Sequence, residues 1–144
     1  SGEVADLEGT VGGHLDQSSR VQAVCDYFGP TDFLAEIGQP SDIDRSRADA
    51  PEARLVGGLL VDHVEEARRA NPITYVTADD PPFRIVHGDS DRSVPLNQSQ
   101  LLHEALLAAG VPSTLHVIEG AGHGFPDPEI GEETAEFFAK WLRA

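Results

Sequence analysis

Apolar residues in this chain gather in three short runs separated by segments of different rhythm. The first, Arg20 to Phe28, is mostly apolar, holds valines and aromatics, and stops at Gly29-Pro30. Its continuous rather than alternating pattern predicts a strand covered on both faces, as in a parallel sheet. Phe83-Arg84-Ile85-Val86-His87, ending at Gly88, and Ser113 to Ile118 predict two further strands. Between them Leu101, Leu102, Ala105, Leu106 and Ala109 recur with helical period and predict a helix that Asn97 caps, with Gln100 as reciprocal partner, before Gly110. A last helix is expected from Asp127-Pro128, where the aspartate caps and the proline suits the first turn. Its apolar face, Ile130, Thr134, Phe137, Phe138, Trp141 and Leu142, is read as packing on the sheet, the sole tryptophan included.

The remaining segments look different. Residues 1–20, with Gly9, Gly12, Gly13, Asp16, Ser18 and Ser19, follow neither period and read as a surface connection. From Thr31 to Asp80 the chain is charged and loosely helical, with pieces beginning at Pro51 and running from Asp62 to Ala70, the latter halting ahead of Pro72. Nearly fifty residues exceed a simple crossover, so residues 31–80 are expected to form a cap-like insertion over an active site. Strand, insertion, strand, helix, strand, helix is the order of an α/β fold: a parallel sheet with right-handed crossovers and flanking helices. Such sheets bind ligands at the carboxyl ends of their strands.

Composition changes this picture only at its margins. The 144 residues, 40% of them apolar, suit one domain with a real core. Acidic residues outnumber basic ones 25 to 10, a formal charge of -15, which argues against nucleic acid and anionic membrane surfaces as partners. A lone Cys25 among apolar neighbours is expected to be a buried small hydrophobe, and it leaves the compartment open. No apolar run approaches the ~18 residues of a membrane-crossing helix.

The candidate chemistry lies in two polar loops, each just past a strand end. His87-Gly88-Asp89-Ser90-Asp91-Arg92-Ser93-Val94-Pro95 follows the second strand, and Gly120-Ala121-Gly122-His123-Gly124-Phe125 follows the third. An acid and a histidine released at neighbouring strand ends are two members of a hydrolase triad, with Asp91 as acid, His123 as base and Asp89 as the competing acid. The third member, a serine on a Gly-x-Ser-x-Gly turn, is not in the sequence, and Gly12-Gly13-His14 is no substitute.

Ile85 through Pro95 and Glu119 through Phe125 resemble the acid and histidine loops of α/β-hydrolases. The similarity is greatest to the esterase/lipase branch, which includes acetyl-xylan and feruloyl-esterase-like enzymes and the prolyl oligopeptidase catalytic domain. Phe28-Gly29-Pro30-Thr31-Asp32-Phe33 and Ala70-Asn71-Pro72-Ile73 are similar to connecting segments of that branch. The resemblance implies that residues 1–144 are the C-terminal portion of one α/β-hydrolase domain, with acid Asp91 and base His123. It places the serine elbow and oxyanion loop in an N-terminal half on which the chain depends. The implied substrate is a small-molecule carboxylic ester, with no cofactor. A prolyl-oligopeptidase-like peptidase and a non-catalytic α/β binding module stand as alternatives.

Competing uses of the same residues are weaker. His87, Asp89 and Asp91 form a conceivable divalent-metal set, but a calcium loop counted from Asp89 puts Val94 where glycine is required and Gln100 where glutamate is required. No metal is therefore expected. Cys25 as nucleophile lacks a glycine elbow, and Ser90 and Ser93 lack both the elbow and a helix directly behind it. His14, His63, His103 and His116 have no evident partners, and Glu65 to Arg69 reads as a solvated helix face. The first strand would ordinarily pair with a preceding one, so the chain alone is expected to self-associate through an apolar edge.

Overall fold

In a computed structural model of the chain, which describes residues 7, 9–14 and 16–142, the apolar runs form a parallel sheet. Strands β1 (Val24–Tyr27), β2 (Phe83–Gly88) and β3 (Ser113–Ile118) lie in the order β1-β2-β3. The register pairs Val24 with Phe83 and Phe83 with Ser113. β1 is shorter than the apolar pattern predicts. Pro81 and Pro82 precede Phe83 and have no N–H to extend the ladder, so residues 20–23 stay outside it. Arg20 reaches Asp79 instead, at 2.9 Å. The expected opening connection carries neither strand nor helix over residues 9–14 and 16–23, while residues 1–6, 8 and 15 lie outside the described residues.

Between β1 and the final helix lie four helices and one 3-10 turn: α1 (Phe33–Glu36), α2 (Pro51–Val56), α3 (Val64–Ala70), the turn Pro72–Tyr75, and α4 (Asn97–Ala108). α4 covers the sheet face that carries Ile85, and with Leu102, Leu106 and Val111 it forms the principal core. Its start differs from expectation. Asn97 is the first helical residue and donates from its side chain to the Ala35 carbonyl, while Gln100 N–H bonds Leu96 O. Proline fixes φ near its helical value, so the turn already begins at Pro95, whose carbonyl accepts Gln98 N–H, and a side-chain cap has no role there. Gly110, at φ 81°, ends the helix as the sequence implies.

The last helix, α5 (Pro128–Trp141), is capped by Asp127, whose carboxylate accepts Glu129 N–H at 2.9 Å. It lies on the opposite face, where Thr134 meets Tyr27 OH at 2.7 Å and Glu133 pairs with Arg84. Its apolar face is only partly used. Ile130 is buried, but Trp141 is 36% and Leu142 52% exposed, contrary to the expected packing, and Lys140 Nζ sits 4.8 Å from the Trp141 ring. At about 1.5 Å per residue the helix runs roughly 20 Å, whereas a strand as short as β1 supplies only about 13 Å of floor.

The insertion has a core of its own, Phe33, Val56, Leu60 and Ala67. Two anchors tie it to the sheet layer. Buried Gln98 accepts the N–H groups of Thr31 and Asp32 at 2.9 and 2.7 Å, and the Thr31 hydroxyl donates to the Gln98 carbonyl at 2.9 Å. At the other end Ser41 and Asp42 bond the backbone of Arg92.

Candidate active site

Parallel pairing places the carboxyl ends of β2 and β3 side by side, and the two polar loops leave from those ends. They are laced together before any side chain of interest is considered. Asp89 N–H donates to Ile118 O at 3.1 Å, and Ser90 N–H to Ala121 O at 2.9 Å. Gly88 is needed here because the base loop passes directly over it: a Cβ would lie 2.2 Å from Ala121 O. Asp89 spends its carboxylate on the same junction, accepting Gly120 N–H at 2.8 Å and the Ser90 hydroxyl at 3.1 Å.

Asp91 turns the other way. Its side chain is fully enclosed, and Oδ1 accepts the N–H groups of Ser93 and Val94 at 2.7 and 2.9 Å. Oδ2 receives His123 Nδ1 at 2.8 Å. Burial by itself would raise this carboxyl's pKa, but the Val94 N–H, the His123 ring and the Ser93 N–H outweigh it and hold the group below the usual aspartate value. Asp91 is therefore an anion at neutral pH and acts only as an acceptor, which assigns the proton of the shared bond to Nδ1 of His123. Nε2 of His123 has no hydrogen-bond partner among the described residues, and the side chain is 40% exposed.

Three neighbours hold this pair in roles that the sequence reading did not assign them. His87 is fully buried behind Asp91, its Nε2 3.3 Å from Oδ2. The Val94 carbonyl, 3.0 Å from the same nitrogen, can only accept, so Nε2 carries a proton, while Nδ1 shares a hydrogen bond with the Ser99 hydroxyl at 2.7 Å. Phe28, in the left-handed region at φ 47°, lays its ring against His123 with centroids 4.4 Å apart, and packs on Phe125 at 5.4 Å. In the sequence that position is marked by the Gly29-Pro30 strand stop and by its place in a segment similar to a connecting segment of the hydrolase branch. Arg45 reaches the acid loop from the insertion, donating to Ser93 O at 2.7 Å across a separation of 48 residues, which no local pattern can signal.

The competing candidates are scattered. Among the described residues no three metal-binding side chains converge, since Asp89 faces Gly120 while His87 and Asp91 face inward. Cys25 points to the α5 side of the sheet, 3.9 Å from Thr134 Oγ, and burial pushes its thiol up. Ser90 bonds its neighbour Asp89. Of the remaining histidines, His103 bonds Ser113 and His116 meets Glu133, so both are locally partnered.

A parallel sheet flanked by helices, with an aspartate and a histidine paired across adjacent strand ends, is the architecture of the α/β-hydrolase fold. The chain belongs to the BD-FAE family, whose model matches residues 1–106. It is similar to the esterase LipC of Mycobacterium tuberculosis, 34% identical over 107 residues covering 73% of this chain and 26% of that protein. LipQ of the same organism is 28% identical over 114 residues, covering 78% and 26%. Among solved structures, a truncated carbohydrate esterase from gut microbiota superimposes with a TM-score of 0.82 at 35% identity, covering 93% of this chain and 47% of that one. A propionate-bound thermophilic esterase from Thermogutta terrifontis gives 0.64 at 28% identity, covering 94% and 48%. The chain thus spans about a quarter of the length of these two curated esterases.

Proposed function

We propose that this chain supplies the acid and base of a serine carboxylic-ester hydrolase, as the C-terminal portion of one α/β-hydrolase domain in which residues 31–80 form a cap. The reading rests on one observation: His123 Nδ1 is held 2.8 Å from Asp91 while Nε2 is left open. A serine hydroxyl brought to Nε2 by a Gly-x-Ser-x-Gly turn upstream would lose its proton to that nitrogen as it attacks the acyl carbonyl. The same proton then passes from Nε2 to the leaving alcohol, and a water repeats the sequence to release the acid. Asp91 stays ionised throughout, fixing the ring tautomer and stabilising the imidazolium.

A groove of about 410 Å³ is lined by Tyr27, Phe125, Pro126, Asp127, Pro128, Ile130 and Gly131; Phe125, two residues after His123, is the link through which it could take a small to medium acyl or alcohol group. Similarity to esterases supports esters over peptides as substrates. The test compares a short nitrophenyl ester with an aminoacyl anilide on the full-length protein that carries this chain, with and without His123→Ala. Ester turnover that His123→Ala abolishes is the expected result. Preferential anilide cleavage would move the assignment to a peptidase, and absence of both activities together with no fluorophosphonate labelling would leave a binding module.

A further inference from the structure

Arg45 is 4% exposed, and its guanidinium addresses a different element along each edge. Nε faces two carboxylates, Glu36 Oε2 at 2.6 Å and Glu52 Oε1 at 3.3 Å. One terminal nitrogen donates to Ser41 Oγ at 2.8 Å and the other to the Ser93 carbonyl at 2.7 Å. The Ser93 carbonyl and the Val94 N–H belong to one planar peptide unit and point in opposite directions. That N–H is one of the two donors to Asp91 Oδ1, at 2.9 Å. A guanidinium that grips the oxygen of this plane therefore sets where its N–H points. Ser41 strengthens the grip by donating to the Arg92 carbonyl at 3.0 Å, which also accepts Asp42 N–H at 2.7 Å.

We propose that Arg45, held between Glu36 and Glu52, is a positioning residue for Asp91 and acts through the Ser93–Val94 peptide. The proposal deepens the hydrolase reading and rests on it for the role of Asp91. The cluster is poorly suited to mere space filling. Glu36 Oε1 and Glu52 Oε2 are buried with no hydrogen-bond partner, a cost that apolar side chains of the same volume would avoid. What the ion cluster adds is direction, because a planar fork clamped by carboxylates on one edge can hold a carbonyl on another.

The test is a mutant cycle on the full-length protein with a short nitrophenyl ester. Arg45→Met is expected to lower kcat by at least ~10-fold with KM changed less than ~2-fold, as for a misplaced catalytic group. The loss should vanish when Asp91 is already asparagine, because the carboxylate whose placement against His123 Arg45 sets is then gone. Arg45→Lys, which keeps the charge without the fork, should fall between wild type and Arg45→Met. An unchanged kcat, or an equal loss in the Asp91→Asn background, overturns the proposal. Should Arg45→Met leave two unpaired carboxylates and fail to fold, the triple change with Glu36→Gln and Glu52→Gln removes that conflict and carries the same comparison. Proton NMR of the His123 Nδ1–H, bonded to Asp91 at 2.8 Å, reads the coupling without turnover: the triple variant should move that resonance upfield as the bond weakens, and an unmoved resonance refutes the link. A wild-type protein inactive on esters whose Nδ1–H resonance still moves in the triple variant would count against the hydrolase reading and leave the Arg45 to Asp91 link standing.

Discussion

Gly88 and Ala121 lie so close that a methyl group on the glycine would stand 2.2 Å from the alanine carbonyl oxygen. The acid loop and the base loop thus meet backbone to backbone, and their separation is set at that point. Gly88→Ala is expected to lower unfolding free energy by about 1–3 kcal/mol, as overpacking against rigid backbone does. Urea denaturation of the variant beside wild type measures it, and coincident midpoints would mean that the loops can part without cost.

Asp91→Asn keeps an acceptor for Ser93 and Val94 N–H but presents an amide to His123. Turnover should fall by as much as ~10⁴-fold, on the precedent of other triads, with the near-ultraviolet circular dichroism retained. Asp89→Asn should cost far less, because that carboxylate bonds Gly120 N–H and not the imidazole. Steady-state kinetics on both variants separates the two aspartates.

Glu36 gives the chain a pH-dependent stability of unusual sign. Burial raises its pKa from 4.5 to about 7, with Arg45 opposing the rise and Glu52 and Asp32 adding to it. Between those values the folded chain holds a proton that the unfolded chain has lost, so stability falls as pH rises through the window. The change is on the order of 3 kcal/mol, and Glu36→Gln should flatten it. Denaturant midpoints collected across that pH range provide the measurement.

Ser99→Ala leaves Nδ1 of a fully buried imidazole without its hydrogen-bond partner. A loss of about 1–3 kcal/mol is expected, the usual cost of an unsatisfied buried group. Chemical denaturation with His87→Phe as the companion variant distinguishes the missing hydrogen bond from lost packing.

Cys25→Ala should leave turnover unchanged, and the wild-type thiol should alkylate slowly at neutral pH. Burial raises its pKa, and hydrogen bonding to Thr134 offsets that only in part. Rapid iodoacetamide labelling that abolished activity would contradict this.

Much of the arrangement was legible because its determinants are local. Phe83 to Gly88 and Ser113 to Ile118 announce strands through composition alone, and Gly110 announces a helix end through its backbone freedom. Asn97 has the composition of a cap but does not serve as one, because Pro95 starts the turn first. Trp141 stays partly exposed because helical period marks an apolar face and says nothing of how far the floor beneath it extends.

From the sequence alone one could derive an α/β order, a parallel sheet, and an aspartate loop and a histidine loop at neighbouring strand ends. Those are consequences of periodicity and of where parallel strands must finish. The tertiary structure alone decided that the Asp89 carboxylate turns to Gly120, that Phe28 lies against the His123 ring, and that Arg45 reaches over from the insertion to the acid loop. Each depends on hydrogen-bond directions set by the summed rotations of whole loops and by contacts across tens of residues, and no local pattern of side chains encodes either.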